Sequence, residues 1–301
     1  MKVSVVLTTY NGEKYLYELL DSLKNQTHKP DEVIICDDGS SDNTRKMLAE
    51  YIQKNNLDDW KTIFNTSNKG WRRNFRDGIQ MANYDLVFPC DQDDIWEKEK
   101  IAKMLSVMEK NQNIQLLSSD YLPVYEAGGQ RIETTESKGK NIEKIPFDDH
   151  FASGNRPGCV MCIRRELIEK TRDIWEYWYP HDAFLWTMSI FFNGCYIIHE
   201  PLIRYRRHSG NTTNHVTRDK NAVILSLKRN KNLINWWIIN KNILPGTETE
   251  KMLENFLVYA DLRLALLEKK KLGNFLKLFK YRCFYRTFKQ ELGDLYLAVM
   301  K

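Results

Sequence analysis

The chain has 301 residues, 28% charged and 42% hydrophobic, enough for one large domain or one domain with a smaller appendage. That balance excludes a collagen, a coiled coil and a mostly disordered chain. The net charge of +5 hides an asymmetry: residues 220–301 carry 16 Lys and Arg against 7 Asp and Glu, so a mildly acidic body precedes a basic end.

Met1 and Lys2 lead directly into an apolar run at 3–7, without the charged, apolar and small-residue regions of a signal peptide, so a cytosolic chain is expected. Residues 3–7, 32–36 and 86–90 are β-branched and apolar without alternation, as strands buried on both faces are. Between them Tyr15, Leu16, Leu19, Leu20 and Leu23 recur at helical spacing, and Ser40, Ser41 and Asp42 offer caps to a helix through Met47, Leu48, Tyr51 and Ile52. A short strand is expected at 62–64, a helix at 74–81 and another at 97–110. This alternation predicts a parallel sheet with helices on both faces. Residues 126–150 are polar and weakly periodic, which reads as a long lid or binding loop. Strands are expected at 160–163, 196–199 and 202–205, with a helix at 181–192. After about residue 215 only helical patterns remain, the third marked by Phe275, Phe279, Phe284 and Phe288. The greasiest stretch, 233–239, falls far short of the ~18 residues of a membrane-spanning helix. The six cysteines are scattered, and Cys159 and Cys162 have no second pair for a zinc site, so buried, reduced thiols are expected.

In open parallel sheets ligands bind beyond the carboxyl ends of the strands. Those ends carry Thr8, Thr9, Tyr10, Asn11 and Gly12 after the first strand, Asp37, Asp38, Gly39 and Ser40 after the second, and Asp91, Gln92, Asp93 and Asp94 after the third strong one. Carboxylates at a fixed strand end suit a hard divalent cation that keeps positions open for phosphate oxygens. No glycine-rich phosphate loop precedes a helix, which argues against a P-loop NTPase and a dinucleotide enzyme.

These three clusters, in order, resemble the family-two glycosyltransferases of GT-A fold. The run Asp91-Gln92-Asp93-Asp94-Ile95-Trp96 is most similar to the bacterial rhamnosyltransferase-like branch, which builds surface polysaccharides. The likeness is close over residues 1–110, looser to about 214 and absent beyond. It implies an α/β, Rossmann-like GT-A domain over 1–214, with a mostly parallel sheet and flanking helices, while the helical patterns and charge alone make 215–301 a basic helical region. It implies a divalent cation, Mn2+ or Mg2+, held by Asp93, Asp91 and His208, the last within Arg204-Tyr205-Arg206-Arg207-His208. It assigns the nucleotide-sugar donor to Thr8, Tyr10, Asp38, Asn68, Gly70, Arg72, Asp91 and Gln92, with Arg73 a weaker candidate. Arg204, Arg206 and Arg207 are expected to neutralise the departing diphosphate. Asp182, at a helix start, is the implied base, and one base with direct displacement gives inversion. The resemblance suggests dTDP-L-rhamnose as donor, a saccharide acceptor that is often lipid-linked, and an enzyme at the inner face of the membrane. A UDP-hexose or UDP-N-acetylhexosamine donor is the alternative.

Two other classes compete. A nucleotidyltransferase wants a lysine-rich triphosphate loop near the first strand, which is missing before Lys14. A nucleic-acid or carbohydrate-binding module would use the basic end but leaves Asp91, Asp93 and Asp182 without a task, so no nucleic acid is expected. The basic end is instead expected to meet a membrane surface or a second subunit.

Overall fold

The computed structural model describes residues 1–125, 141–148, 151, 156–208, 219–239, 247–285 and 287–300. The first strand, β1 (Val3–Thr9), is wholly buried, and so is β2 (Glu32–Asp37). Between them α1 (Leu16–Lys24) lays Leu16, Leu19, Leu20 and Leu23 into the core. Next come α2 (Thr44–Asn55), β3 (Trp60–Phe64), α3 (Trp71–Met81), β4 (Leu86–Asp91), β5 (Ile95–Trp96) and α4 (Lys100–Lys110). The later strands are β6 (Leu116–Tyr125), β7 (Ile142–Lys144), β8 (Met161–Arg164) and β9 (Cys195–Arg207), with α5 (Arg165–Thr171) and α6 (His181–Phe191) between the last two. All nine described strands join one sheet in the order β3-β2-β1-β4-β8-β6-β9-β5, and β7 also pairs with β9.

The parallel half matters for function. β1 pairs in parallel with β2 and β4, so Thr8 lies opposite Cys36 on one side and Asp91 on the other. The polar clusters after these three strands therefore end at one edge. The far half is mixed: β8 runs antiparallel to β4 and β6, and β6 runs parallel to β9. The two strands expected at 196–199 and 202–205 are one strand, because register shifts around Asp120 let β9 stay paired with β6 across Glu200 and Pro201. Much of the loop expected at 126–150 lies outside the described residues, as do Asn211, three residues after His208, and Arg286 of the basic end; residues 142–144 form the edge strand β7.

The chain divides into two compact units, one comprising 1–145 and 155–209, the other 146–154 and 210–301. Within the second, α7 (Lys220–Ile239), α8 (Thr247–Lys269), α9 (Gly273–Leu278), a 3-10 turn (Phe279–Phe284) and α10 (Phe288–Met300) follow in order. The third helical pattern is thus broken rather than continuous, because Tyr281 departs from helical geometry and Tyr285 is extended. Phe256, Tyr259 and Phe284 form an aromatic core beside a buried ion pair. Arg263 meets Asp294 through two bonds of 2.6 and 3.0 Å, and the Tyr285 hydroxyl donates to the same carboxylate at 2.9 Å. None of the six cysteines forms a disulfide; five are buried, but Cys283, on the 3-10 turn, is exposed.

Candidate active site

Asp37, fully buried, clasps the first two strand ends together. It accepts from Thr9 Oγ1 at 3.0 Å, from the Ser40 backbone N–H at 3.0 Å and from Arg45 Nε at 2.5 Å. The loop after β1 is then zipped to the start of α2: Gly12 N–H donates to Thr44 Oγ1 at 2.8 Å, and Ser41 N–H donates to Asn11 Oδ1 at 2.9 Å. Asp38 is 2% exposed and faces the other way. It accepts from the backbone N–H groups of Lys69 at 2.8 Å and Gly70 at 2.9 Å and from Asn65 Nδ2 at 3.1 Å. Gly70 reaches that bond at φ +86°, a conformation glycine adopts without steric cost, and Asn68 Oδ1 accepts from the same N–H at 2.8 Å. Asp38, Asn68 and Gly70 thus form one cluster.

Gln92 closes the edge from the β4 side. Its Oε1 accepts from Tyr10 N–H at 2.8 Å and its Nε2 donates to the Tyr10 carbonyl at 3.1 Å, leaving the Tyr10 ring exposed beside buried Thr8. One residue on, Asp93 Oδ2 lies 2.8 Å from His208 Nε2. The His208 ring sits 5.0 Å from that of Tyr15. Arg206 secures this corner: its N–H donates to Asp94 Oδ1 at 3.1 Å, its Nε donates to the Asp93 carbonyl at 2.9 Å, and its guanidinium lies over Tyr15 and pairs with Glu18. Arg204, two residues before Arg206 on β9, pairs with Glu97 at 2.9 Å, and Arg207 lies over the Tyr205 ring.

Beneath the edge lies a cluster in which sequence reasoning names Asp91 and Asp94 but misses Cys159 and Lys100. Ligand atoms of Asp91, Asp94 and Cys159 all fall within 4.8 Å of one another. Burial, then the like charges of Asp94, Asp93 and Asp182, push the Asp91 carboxyl well above the usual range. Asp94 is raised to about 7, by burial first and then by Asp93. The buried Lys100 amine donates to the Cys159 carbonyl and packs 3.5 Å from the Trp96 ring centre; burial lowers it to about 8. Lys100 was detectable as the residue that extends the buried Met104 and Met108 stripe backward by one helical turn.

Asp91, Asp94 and Cys159 form one candidate donor set, and the Asp93–His208 pair stands beside it, in reach of the Asp91 charge. The Cys159 thiol is pushed up by burial and keeps its proton, so it is a poor ligand for a hard cation. Crowded carboxylates at Asp91 and Asp93 with the His208 imidazole fit Mn2+ or Mg2+ better.

Asp182 occupies the first turn of α6, after Pro180, and its Oδ1 accepts from Ala183 N–H at 2.7 Å. Burial raises it to about 6, against the helix-end amides and Arg72, which pull it down. Arg72 itself lies over the Trp71 ring, while Arg73 pairs with Asp77. The helix is anchored by the Trp175 and Phe184 rings, stacked at 5.1 Å. His181, buried and lowered to about 3, stacks on Phe75 at 4.0 Å and fills the space beside Gly158, where any Cβ would overlap its ring.

The described geometry brings Thr8, Tyr10, Asp38, Asn68, Gly70, Gln92, Asp91, Asp93 and His208 to one sheet edge, with Asp182 within electrostatic reach of Asp91.

The glycosyl transferase family 2 model matches residues 4–172. An uncharacterized glycosyltransferase of Nostoc sp. is 28% identical over 225 residues, 72% of this chain and 67% of that protein. The dTDP-rhamnosyl transferase RfbG of Shigella flexneri is 30% identical over 217 residues, 68% of this chain and 72% of that protein. Among solved structures, S. aureus TarS 1-349 in complex with UDP-GlcNAc superposes with a TM-score of 0.63 at 20% identity, covering 99% of this chain and 82% of that one. Mannosyltransferase PcManGT from Pyrobaculum calidifontis, in complex with GDP-Man and Mn2+, gives 0.54 at 17% identity, covering 100% and 86%. Both likenesses show the GT-A fold. With more than half its length matched by one family model, the chain belongs to glycosyl transferase family 2.

Proposed function

We propose that the protein is a metal-dependent inverting glycosyltransferase that moves L-rhamnose from dTDP-L-rhamnose to a saccharide acceptor, lipid-linked, in bacterial surface polysaccharide synthesis. Residues 1–214 carry the chemistry and 215–301 form an accessory helical region. The observation that carries the reading is the convergence of Asp91, Asp93 and His208 with a base, Asp182, raised to about 6. A carboxylate poised near neutral pH is ionised in the cell yet basic enough to take a proton. The 30% identity to RfbG supports the rhamnose donor.

Asp91, Asp93 and His208 would hold the Mn2+ or Mg2+. The chemistry such a cation supplies is neutralisation of the diphosphate as it leaves. Thr8, Tyr10, Asp38, Asn68 and Gly70 bind the nucleoside, and Gln92 holds Tyr10 in place for it. Arg72 and Arg207 are the cations assigned to phosphate oxygens, with Arg204 reaching them only if it leaves Glu97. Asp182 accepts the proton of the acceptor hydroxyl as that oxygen attacks C1 from the face opposite the diphosphate. The single displacement converts a β-linked donor into an α-linked product.

The test is a panel of nucleotide sugars, screened for metal-dependent thermal stabilisation and then for transfer, with product linkage read by NMR. The expected result is stabilisation by dTDP-L-rhamnose with Mn2+ or Mg2+ and an α-linked product. Stabilisation by UDP-N-acetylhexosamine alone would replace the donor but keep the mechanism, a reading that TarS with its UDP-GlcNAc keeps open. Full activity in excess chelator would overturn the metal.

A further inference from the structure

From Lys269 to Val299 the described surface has one sign of charge. Lys269, Lys270, Lys271, Lys277, Lys280, Arg282 and Lys289 are exposed, and the two carboxylates of this stretch, Glu291 and Asp294, are buried. The same stretch exposes large apolar side chains. On α10, Phe288, Leu292, Tyr296 and Val299 fall within roughly 80° of the helix circumference at 3.6 residues per turn. They leave Glu291, Asp294, Leu297 and Ala298 for the buried side. On and beside α9, Leu272, Leu276 and Phe279 repeat at four- and three-residue steps, Leu276 being 72% exposed. The two rows meet at Arg282. Its guanidinium carbon lies 5.4 Å from the ring centres of both Phe279 and Phe288, while its Nε pairs with buried Glu291 at 3.0 Å. The apolar groups are thus one surface with a cationic border, on an element tied down from beneath.

We propose that this face of α9 and α10 docks on an anionic lipid bilayer, with the leucines and phenylalanines entering the headgroup boundary and the lysines meeting lipid phosphates. The charge argues for that occupant. A second copy of the chain seated on the same patch would oppose seven cations with seven. A nucleic acid would satisfy the lysines but leave Leu272, Leu276, Leu292 and Val299 without bases to stack on. Among the described residues no helix is long and apolar enough to cross a membrane, so the contact is peripheral. The inference concerns the second unit and does not depend on the donor sugar.

Sedimentation of the full chain with phosphatidylcholine vesicles, with and without phosphatidylglycerol, tests it. The chain is expected to pellet with the anionic vesicles, to leave them as salt is raised, and to ignore the neutral ones. A Leu276→Ser, Phe279→Ser, Phe288→Ser variant should lose at least about 10-fold in partitioning. Each of Lys277→Gln, Lys280→Gln and Lys289→Gln should cost about 5-fold. All these positions are exposed, so melting temperatures should not change, and transfer to a soluble acceptor should persist. No partitioning into anionic vesicles overturns the proposal, as does undiminished partitioning of both variant sets. A dimer dispersed by the serine substitutions in the absence of lipid overturns it too.

Discussion

Asp182 sits between opposing influences, and its pH behaviour follows from their balance. Burial raises it, the first-turn amides and Arg72 lower it, and the result is about 6. Protonated Asp182 cannot accept a proton, so kcat/KM should fall as pH drops through about 6 and level above it; a profile flat down to pH 5 would remove Asp182 as base. At the other end of the cluster, Asp93→Asn removes one carboxylate from the pair with His208. Metal-dependent donor binding should weaken by at least about 10-fold while the melting temperature without metal holds; unchanged metal dependence in calorimetry would exclude Asp93 as ligand. Lys100 acts through its neighbours. Its amine is a buried cation beside Asp94, and replacing it leaves that crowded carboxylate with less reason to ionise. Lys100→Met should therefore weaken metal binding by about 10- to 100-fold, with the deficit widening as pH falls. Equal metal affinity at every pH would make Lys100 a packing residue only. Its own lowered pKa has a sign that can be checked. The folded chain releases the proton near 8 and the unfolded chain near 10.5, so this group adds stability as pH rises between those values.

At the scale of elements, the rigid strand ends explain why the site was readable. Residues in β1, β2 and β4 are apolar without alternation, so the strands, their parallel pairing and the edge that carries Thr8, Asp38 and Asp91 all follow from pattern. β6 did not follow, because Ser118, Ser119 and Asp120 interrupt its apolar run at the register shifts against β9. Lys100 was hidden because a lysine on a helix is read as solvated unless its phase against Met104 and Met108 is counted. The pairing of Arg204 with Glu97 depends on which carboxylates the fold brings beside β9, which a run of Arg, Tyr, Arg and Arg leaves open. In the second unit, Asp294→Asn breaks the buried pair with Arg263 and leaves a guanidinium without its counter-charge. The expected loss is about 3–5 kcal/mol, seen as a lower denaturant midpoint. An unchanged midpoint would mean the pair is not what holds α8 to α10.

For the whole molecule, the arrangement separates two tasks. The first unit gathers the residues proposed for donor, metal and base at one edge of a mixed sheet, and the second carries a cationic, apolar surface with no carboxylate exposed between Lys269 and Val299 among the described residues. The central claim is that Asp182 moves a proton and does not hold the donor. The measurement that tests it most directly pairs the single-turnover transfer rate of Asp182→Asn with its affinity for the same nucleotide sugar in the presence of Mn2+. The account predicts a rate lowered by about 10²-fold or more with the dissociation constant nearly unchanged. A rate and an affinity that fall together would contradict it and make Asp182 a residue of the binding site.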